Sequence, residues 1–181
     1  MAQFKNNTEG YGWISIAFHW LMGLTIFGLF GLGLYMVELT YYDAWYKGSL
    51  DLHKGIGILL AIVWVARLVW KLLNPTPKPL GNKLWEHKVA HLVHGALYLF
   101  MLSLFVSGYL ISTADGRSID VFGVFEVPAS LMMDNQEDIA GMIHWWLALS
   151  LMVLVGLHAA AAIKHHVIDK DRTLMRMFKT D

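Results

Sequence analysis

Four stretches of the chain run for more than twenty residues with little or no charge, and the charged residues gather between them. A bilayer core of about 30 Å takes about 20 apolar residues in helical form. Residues 14–37 carry no Lys, Arg, Asp or Glu, and neither do 89–112 or 139–163. Residues 52–73 hold Lys54, Arg67 and Lys71, all towards their ends. A soluble helical bundle would keep a polar stripe on each helix, and these segments have none. The pattern predicts an all-α fold, an integral membrane four-helix bundle forming one domain over residues 1–181. The first span is expected to remain in the protein, because its apolar run is long for a signal peptide and no A-x-A site follows it.

Charge distribution adds an orientation. Of the 14 Lys and Arg, 11 flank one side: Lys5, then Arg67 to Lys88 around the second connection, then Lys164 to Lys179 in the tail. Only Lys47, Lys54 and Arg117 flank the other, where Asp43, Asp51, Asp115, Asp120, Glu126, Asp134, Glu137 and Asp138 lie. Cytoplasmic flanks are the Lys/Arg-rich ones, so both termini are expected in the cytoplasm. The third connection is the longest, and its Val-Phe-Gly-Val-Phe stretch is expected on the membrane surface. With 14 basic and 14 acidic residues the chain has no net charge, so no nucleic-acid partner is predicted. Membrane lipid is the expected surrounding. Trp13, Trp45, Trp64, Trp70, Trp85 and Tyr109 lie near span ends and read as interfacial anchors.

Histidines are the chemistry these spans carry. Histidine inside a membrane span is costly and marks function by default. Nine are present and there is no cysteine, which removes disulfides, thiolate ligation and covalent C-x-x-C-H haem attachment. A haem here needs histidine or methionine ligands, as in a b-type site. His53 and His144 lie at the outer level on different helices. His19, His91, His94 and His158 lie at the inner level, and spacing alone does not choose a pair among these four. His144 and His158 are fourteen residues apart, which is roughly 21 Å along a helix and nearly four whole turns. One helix face then offers a ligand at each of two levels.

Gly23, Gly57, Gly141 and Ala162 share faces with His19, His53, His144 and His158, where a flat macrocycle could approach the backbone. Ordinary small-residue helix packing explains them equally well. Arg67 lies fourteen residues from His53, on the same face at the inner level, where a haem propionate needs a cation. Snorkelling at the membrane boundary accounts better for Lys71. A histidine-lined metal transporter without haem is the distant alternative, since the spans lack the Asp or Glu partners that a cation path uses.

Several stretches together resemble the bacterial cytochrome b561 family of diheme membrane proteins. They are Ile14-Ser-Ile-Ala-Phe-His-Trp20, Asp51-Leu-His-Lys-Gly-Ile-Gly57, Val65-Ala-Arg-Leu-Val-Trp-Lys-Leu-Leu-Asn-Pro-Thr-Pro77, Ala90-His-Leu-Val-His94, Gly141-Met-Ile-His144, Gly156-Leu-His-Ala-Ala-Ala161 and His165-His166. The resemblance implies two non-covalent b haems with bis-histidine ligation. His19 and His158 would hold the inner iron and His53 and His144 the outer one, with Arg67 also at the cofactor. His91 and His94 become second-shell or quinone-site candidates. The implied location is the bacterial inner (cytoplasmic) membrane. The implied activity is electron transfer with the quinone pool, foremost as a superoxide:ubiquinone oxidoreductase. Lys54 and Arg117 are the outer cations available to an anionic donor. The alternative is a cytochrome b subunit fed by a partner protein such as a membrane dehydrogenase or hydrogenase.

Overall fold

The computed structural model describes residues 3–81 and 83–180. The elements are α1 (Trp13–Met36), α2 (Tyr46–Leu73), α3 (Leu84–Ser112), a hairpin of β1 (Ile119–Val121) and β2 (Phe125–Val127), α4 (Gln136–Val167) and a 3-10 turn at Met175–Met177. The all-α class holds, because each of the four helices is long and apolar enough to cross a membrane. At their N-terminal ends α2 and α3 extend beyond the predicted spans into polar sequence, Tyr46-Lys-Gly-Ser-Leu-Asp and Leu84-Trp-Glu-His-Lys.

Burial runs opposite to that of a soluble domain. Leu24, Phe27, Leu72, Leu92 and Val153 are exposed, whereas Ser49, Ser107, Thr113 and Gln136 are buried. Lipid solvates the outward apolar side chains. A buried hydroxyl or amide must instead find a partner within the protein. Thr113 Oγ1 donates to the Tyr109 carbonyl at 2.8 Å, and Gln136 Nε2 donates to the Leu110 carbonyl at 2.9 Å.

The chain divides into two compact units. The first comprises Met1–Gly23, Val63–Leu99 and Leu151–Asp181, and the second Leu24–Ile62 and Phe100–Ser150. Charge divides with them: the first has eleven Lys and Arg against five Asp and Glu, the second three against nine.

In the first unit the N-terminal segment supplies partners for the opening amides of α1, which have none within the helix. Trp13 N donates to the Gln3 carbonyl at 2.9 Å, and Gly12 N to Asn6 Oδ1 at 3.0 Å. The C-terminal tail folds back onto the same unit. Arg176 donates to the Lys78 carbonyl and Trp20 Nε1 to the Met177 carbonyl, at 2.8 and 2.5 Å. Lys164 bridges Glu86 and Asp169 at 2.8 and 2.5 Å. Two indoles read from sequence as interfacial anchors are held inside this unit. Trp70 Nε1 donates to Ser15 Oγ at 3.0 Å, and Trp64 is buried with its ring 5.9 Å from that of Tyr98.

In the second unit the Val-Phe-Gly-Val-Phe stretch forms the hairpin turn, with Ile119 paired to Val127 and Val121 to Phe125. Ile119 and Val121 are buried while Val124 is exposed, so part of this stretch belongs to the core. Phe122 and Gly123 adopt positive φ angles of 55° and 71°. The Phe122 ring lies so close to Gly55 of α2 that a Cβ there would stand 2.6 Å from it.

Candidate functional site

In the second unit, α2 and α4 bring His53 and His144 together. Their ring centroids are 6.3 Å apart and the planes are inclined by 71°. A first-row metal bonds an imidazole nitrogen at about 2 Å, and the ring centre lies about 1 Å behind that nitrogen, so two imidazoles on opposite sides of one metal have centres about 6 Å apart. The pair fits that requirement. Behind His144, Ser107 Oγ lies 2.9 Å from Nδ1. Behind His53, Nδ1 is buried and has no hydrogen-bond partner among the described residues.

In the first unit His19 and His158 stand 6.1 Å apart with planes inclined by 57°. His94 is in edge contact with the same His158 ring, at 5.2 Å. That separation is shorter than an intervening metal allows. Of the four inner histidines, then, three converge: His19 and His158 at ligation spacing, and His94 against them. His91 lies exposed on α3, within electrostatic range of His94.

Arg67 reaches this group, as its spacing from His53 predicts for the inner level. Its guanidinium lies 3.3 Å from His19 Nδ1 and 3.6 Å from Met22 Sδ, and 5.7 Å over the Tyr98 ring. Lys71 joins it, with Nζ 4.6 Å over the same Tyr98 ring. Two cations meet one tyrosine ring beside three histidines, a setting suited to the carboxylates of a haem.

Glycines separate into two kinds. A Cβ added at Gly23, Gly57 or Gly141 would meet nothing within 4 Å, so close helix packing does not require glycine there. The glycines that meet a histidine are Gly33 and Gly108, which sequence periodicity did not single out because they lie on helices other than the histidine they serve. A Cβ at Gly33 would come within 3.5 Å of His53 Cε1, and one at Gly108 within 3.2 Å of His144 Cε1. Ser107 was missed for the same reason.

A cleft of about 660 Å³ opens in the second unit and gathers Lys47, Lys54, Arg117, Asp51, Asp115 and Asp120. All three cations of this unit therefore line one cleft, with Lys54 adjacent to His53 in sequence. Arg117 is already engaged: it is ion-paired with Asp115, whose Oδ1 also accepts from the Arg117 amide at 3.0 Å. The hydrogen bond from Arg117 holds the Asp115 carboxyl below its usual range and raises the guanidinium in turn. Lys47 and Lys54 have no ion-pair partner among the described residues.

The family model for prokaryotic cytochrome b561 matches residues 10–180. Cytochrome b561 homolog 2 of Escherichia coli K12 is 51% identical over 176 residues, covering 96% of this chain and 94% of that protein. A Yersinia pestis protein named probable superoxide oxidase CybB is 31% identical, covering 92% and 94%. Cytochrome b561 homolog 1 of E. coli K12 is 29% identical, covering 70% and 73%.

Proposed function

Because the chain belongs to the prokaryotic cytochrome b561 family, a class of bacterial membrane electron-transfer proteins with b-type haem, we propose that it carries electrons through two b haems from superoxide to ubiquinone. Two superoxide ions would leave as dioxygen and give up two electrons, and one quinone would take both electrons with two protons. The observation that carries this reading is the pair of opposed imidazole couples, His53 with His144 and His19 with His158, each at metal-ligation spacing.

When bound, haem supplies reversible one-electron exchange, and the protein supplies ligands, orientation and a low dielectric. His53 and His144 would hold one iron and His19 and His158 the other. Arg67 and Lys71 balance propionate charge at the inner couple. His94 lies against His158, and His91 and His94 are the groups available to a quinone and its protons. In the outer cleft Lys54 is the nearest unpaired cation to His53 in sequence and attracts a small anion locally. The scarcity of Lys and Arg in the second unit supports an orientation with that unit on the outer side of an inner membrane, by the positive-inside rule.

The superoxide donor is favoured by the name of the Yersinia relative and by Lys47 and Lys54, which line the cleft without an ion-pair partner among the described residues. A second reading, a cytochrome subunit fed by a partner protein, draws on the nine acidic residues of the second unit, which oppose long-range attraction of an anion. The test is the purified chain in detergent. Two haems per chain with a b-type reduced spectrum, and haem reduction by superoxide without any partner, are expected. A colourless protein overturns the whole reading. Haems that stay oxidised under superoxide leave the partner-fed cytochrome.

A further inference from the structure

We infer that Ser107 is a positioning residue that fixes the tautomer of His144 and so sets the donor strength of one ligand at one haem; this rests on His144 being a ligand, as proposed above. Ser107 is 4% exposed on α3. Its Oγ lies 2.8 Å from the Ser103 carbonyl, 3.2 Å from the Leu104 carbonyl and 2.9 Å from His144 Nδ1. A hydroxyl has one proton to donate, and a backbone carbonyl only accepts. A 2.8 Å contact between Oγ and the Ser103 carbonyl without that proton would set lone pairs against each other. The hydroxyl proton therefore goes back to its own helix, as serine in a helix commonly arranges. Towards His144 the oxygen can then only accept, so Nδ1 carries the hydrogen and Nε2 keeps its lone pair, and the Leu104 carbonyl, a second acceptor at this ring, favours the same tautomer.

That is the tautomer a metal needs at Nε2. A hydrogen bond from the distal N–H also makes the ring a stronger donor. Gly108, next in sequence, lets the α3 backbone lie against Cε1 of the same ring, so the imidazole is seated as well as tautomerically fixed. His53 has a glycine contact of the same kind, at Gly33, but no hydrogen-bond partner on its Nδ1 among the described residues. The outer couple thus joins one anchored ligand to one without a hydrogen-bond anchor.

The test compares wild-type holoprotein with Ser107→Ala and Ser107→Thr by spectroscopic redox titration and by the rate of haem loss to an excess of acceptor apoprotein. Removing the hydroxyl leaves the ring only the Leu104 carbonyl as acceptor, which weakens the ligand and disfavours ferric iron. Ser107→Ala is therefore expected to raise the midpoint of one haem, leave the other in place, and speed loss of that haem by roughly tenfold. Ser107→Thr keeps an oxygen that bonds the preceding turn and restores both values. His144→Ala serves as the reference. If it removes one haem while Ser107→Ala changes neither midpoint nor haem loss, the role of Ser107 is wrong and the ligand assignment stands. Equal shifts of both haems, or no rescue by threonine, likewise overturn the proposal. If His144→Ala keeps both haems, the assignment on which the proposal rests has failed instead.

Discussion

His53 and His144 stand with ring centres 6.3 Å apart, yet only His144 has a hydrogen-bond partner behind it. The couple is symmetric in spacing and asymmetric in support. Its two members should therefore differ in how they fail. His144→Ala is expected to remove one of two haems completely, and His53→Ala to remove the same haem, as read by pyridine haemochrome per chain. Ser107→Ala should leave stoichiometry near two under gentle purification, because the ring itself remains.

The inner group decides between His19 and His94. His94 stands 5.2 Å from His158, inside the distance that an iron between them needs, whereas His19 stands at 6.1 Å. His19→Ala is expected to halve the haem content. His94→Ala should retain both haems and change the midpoint or the quinone reaction of one. Loss of a haem in His94→Ala with retention in His19→Ala would reverse the pairing.

This is also where sequence reading stops. Charge-free runs and the Lys/Arg asymmetry were legible because a bilayer imposes them on every residue of a span. The expectation that His53 and His144 share one level came from their positions in the spans, and their rings do stand 6.3 Å apart. Choosing among His19, His91, His94 and His158 needed the rotation of one helix against another, which spacing within a helix does not encode. Ser107, Gly33 and Gly108 were invisible for the same reason. Each acts on a histidine of a different helix, so no periodicity links them to it.

Arg67 places a fixed positive charge 3.3 Å from His19 Nδ1. A nearby cation disfavours ferric iron relative to ferrous, so Arg67→Ala is expected to lower the midpoint of the inner haem. At an effective dielectric of about 20 the interaction is on the order of 1–2 kcal/mol, or roughly tenfold in the equilibrium, close to 59 mV for one electron. Arg67→Lys should recover most of the shift. Redox titration of both variants measures it, and an unmoved midpoint would show that Arg67 is neutralised in the loaded protein.

Phe122 at the hairpin turn closes on Gly55, two residues from His53, and lines the cleft that holds Lys54. In Gly55→Ala the added methyl displaces the end of the Phe122 ring, which can swing because that side chain is half exposed. Haem content should stay at two while the rate of reduction by superoxide changes several-fold. Phe122→Ala in the same background removes the clash, so the double variant should behave as Phe122→Ala alone. A stopped-flow comparison of the three variants tests the coupling.

Lys54 and Asp115 should act in opposite directions on that rate. Lys54→Ala is expected to slow haem reduction by superoxide a few-fold and to weaken its dependence on ionic strength. Asp115→Asn releases Arg117 from its ion pair and should accelerate the reaction at low salt. If neither substitution changes the rate or its salt dependence, the donor does not use this cleft.

The C-terminal tail is tied to the first unit by carboxylates whose ionisation can be followed. Hydrogen bonding from Lys164 holds the Asp169 carboxyl below its usual range. Burial pushes Asp171 up, but hydrogen bonds from Thr173 and His165 more than offset it and leave it lowered as well. A carboxyl with a depressed folded pKa contributes its stability fully above the ordinary value of about 3.9, and loses it as pH falls through the folded value. The tail should therefore stay closed at neutral pH and at pH 5, and open only below about pH 4. Hydrogen exchange at Arg176, Met177 and Phe178, whose amides are bonded within the turn, reads the opening directly. Asp169→Asn should raise exchange there at neutral pH while both haems stay bound. Protection in this variant equal to wild type would show that the Lys164 bridge does not hold the tail.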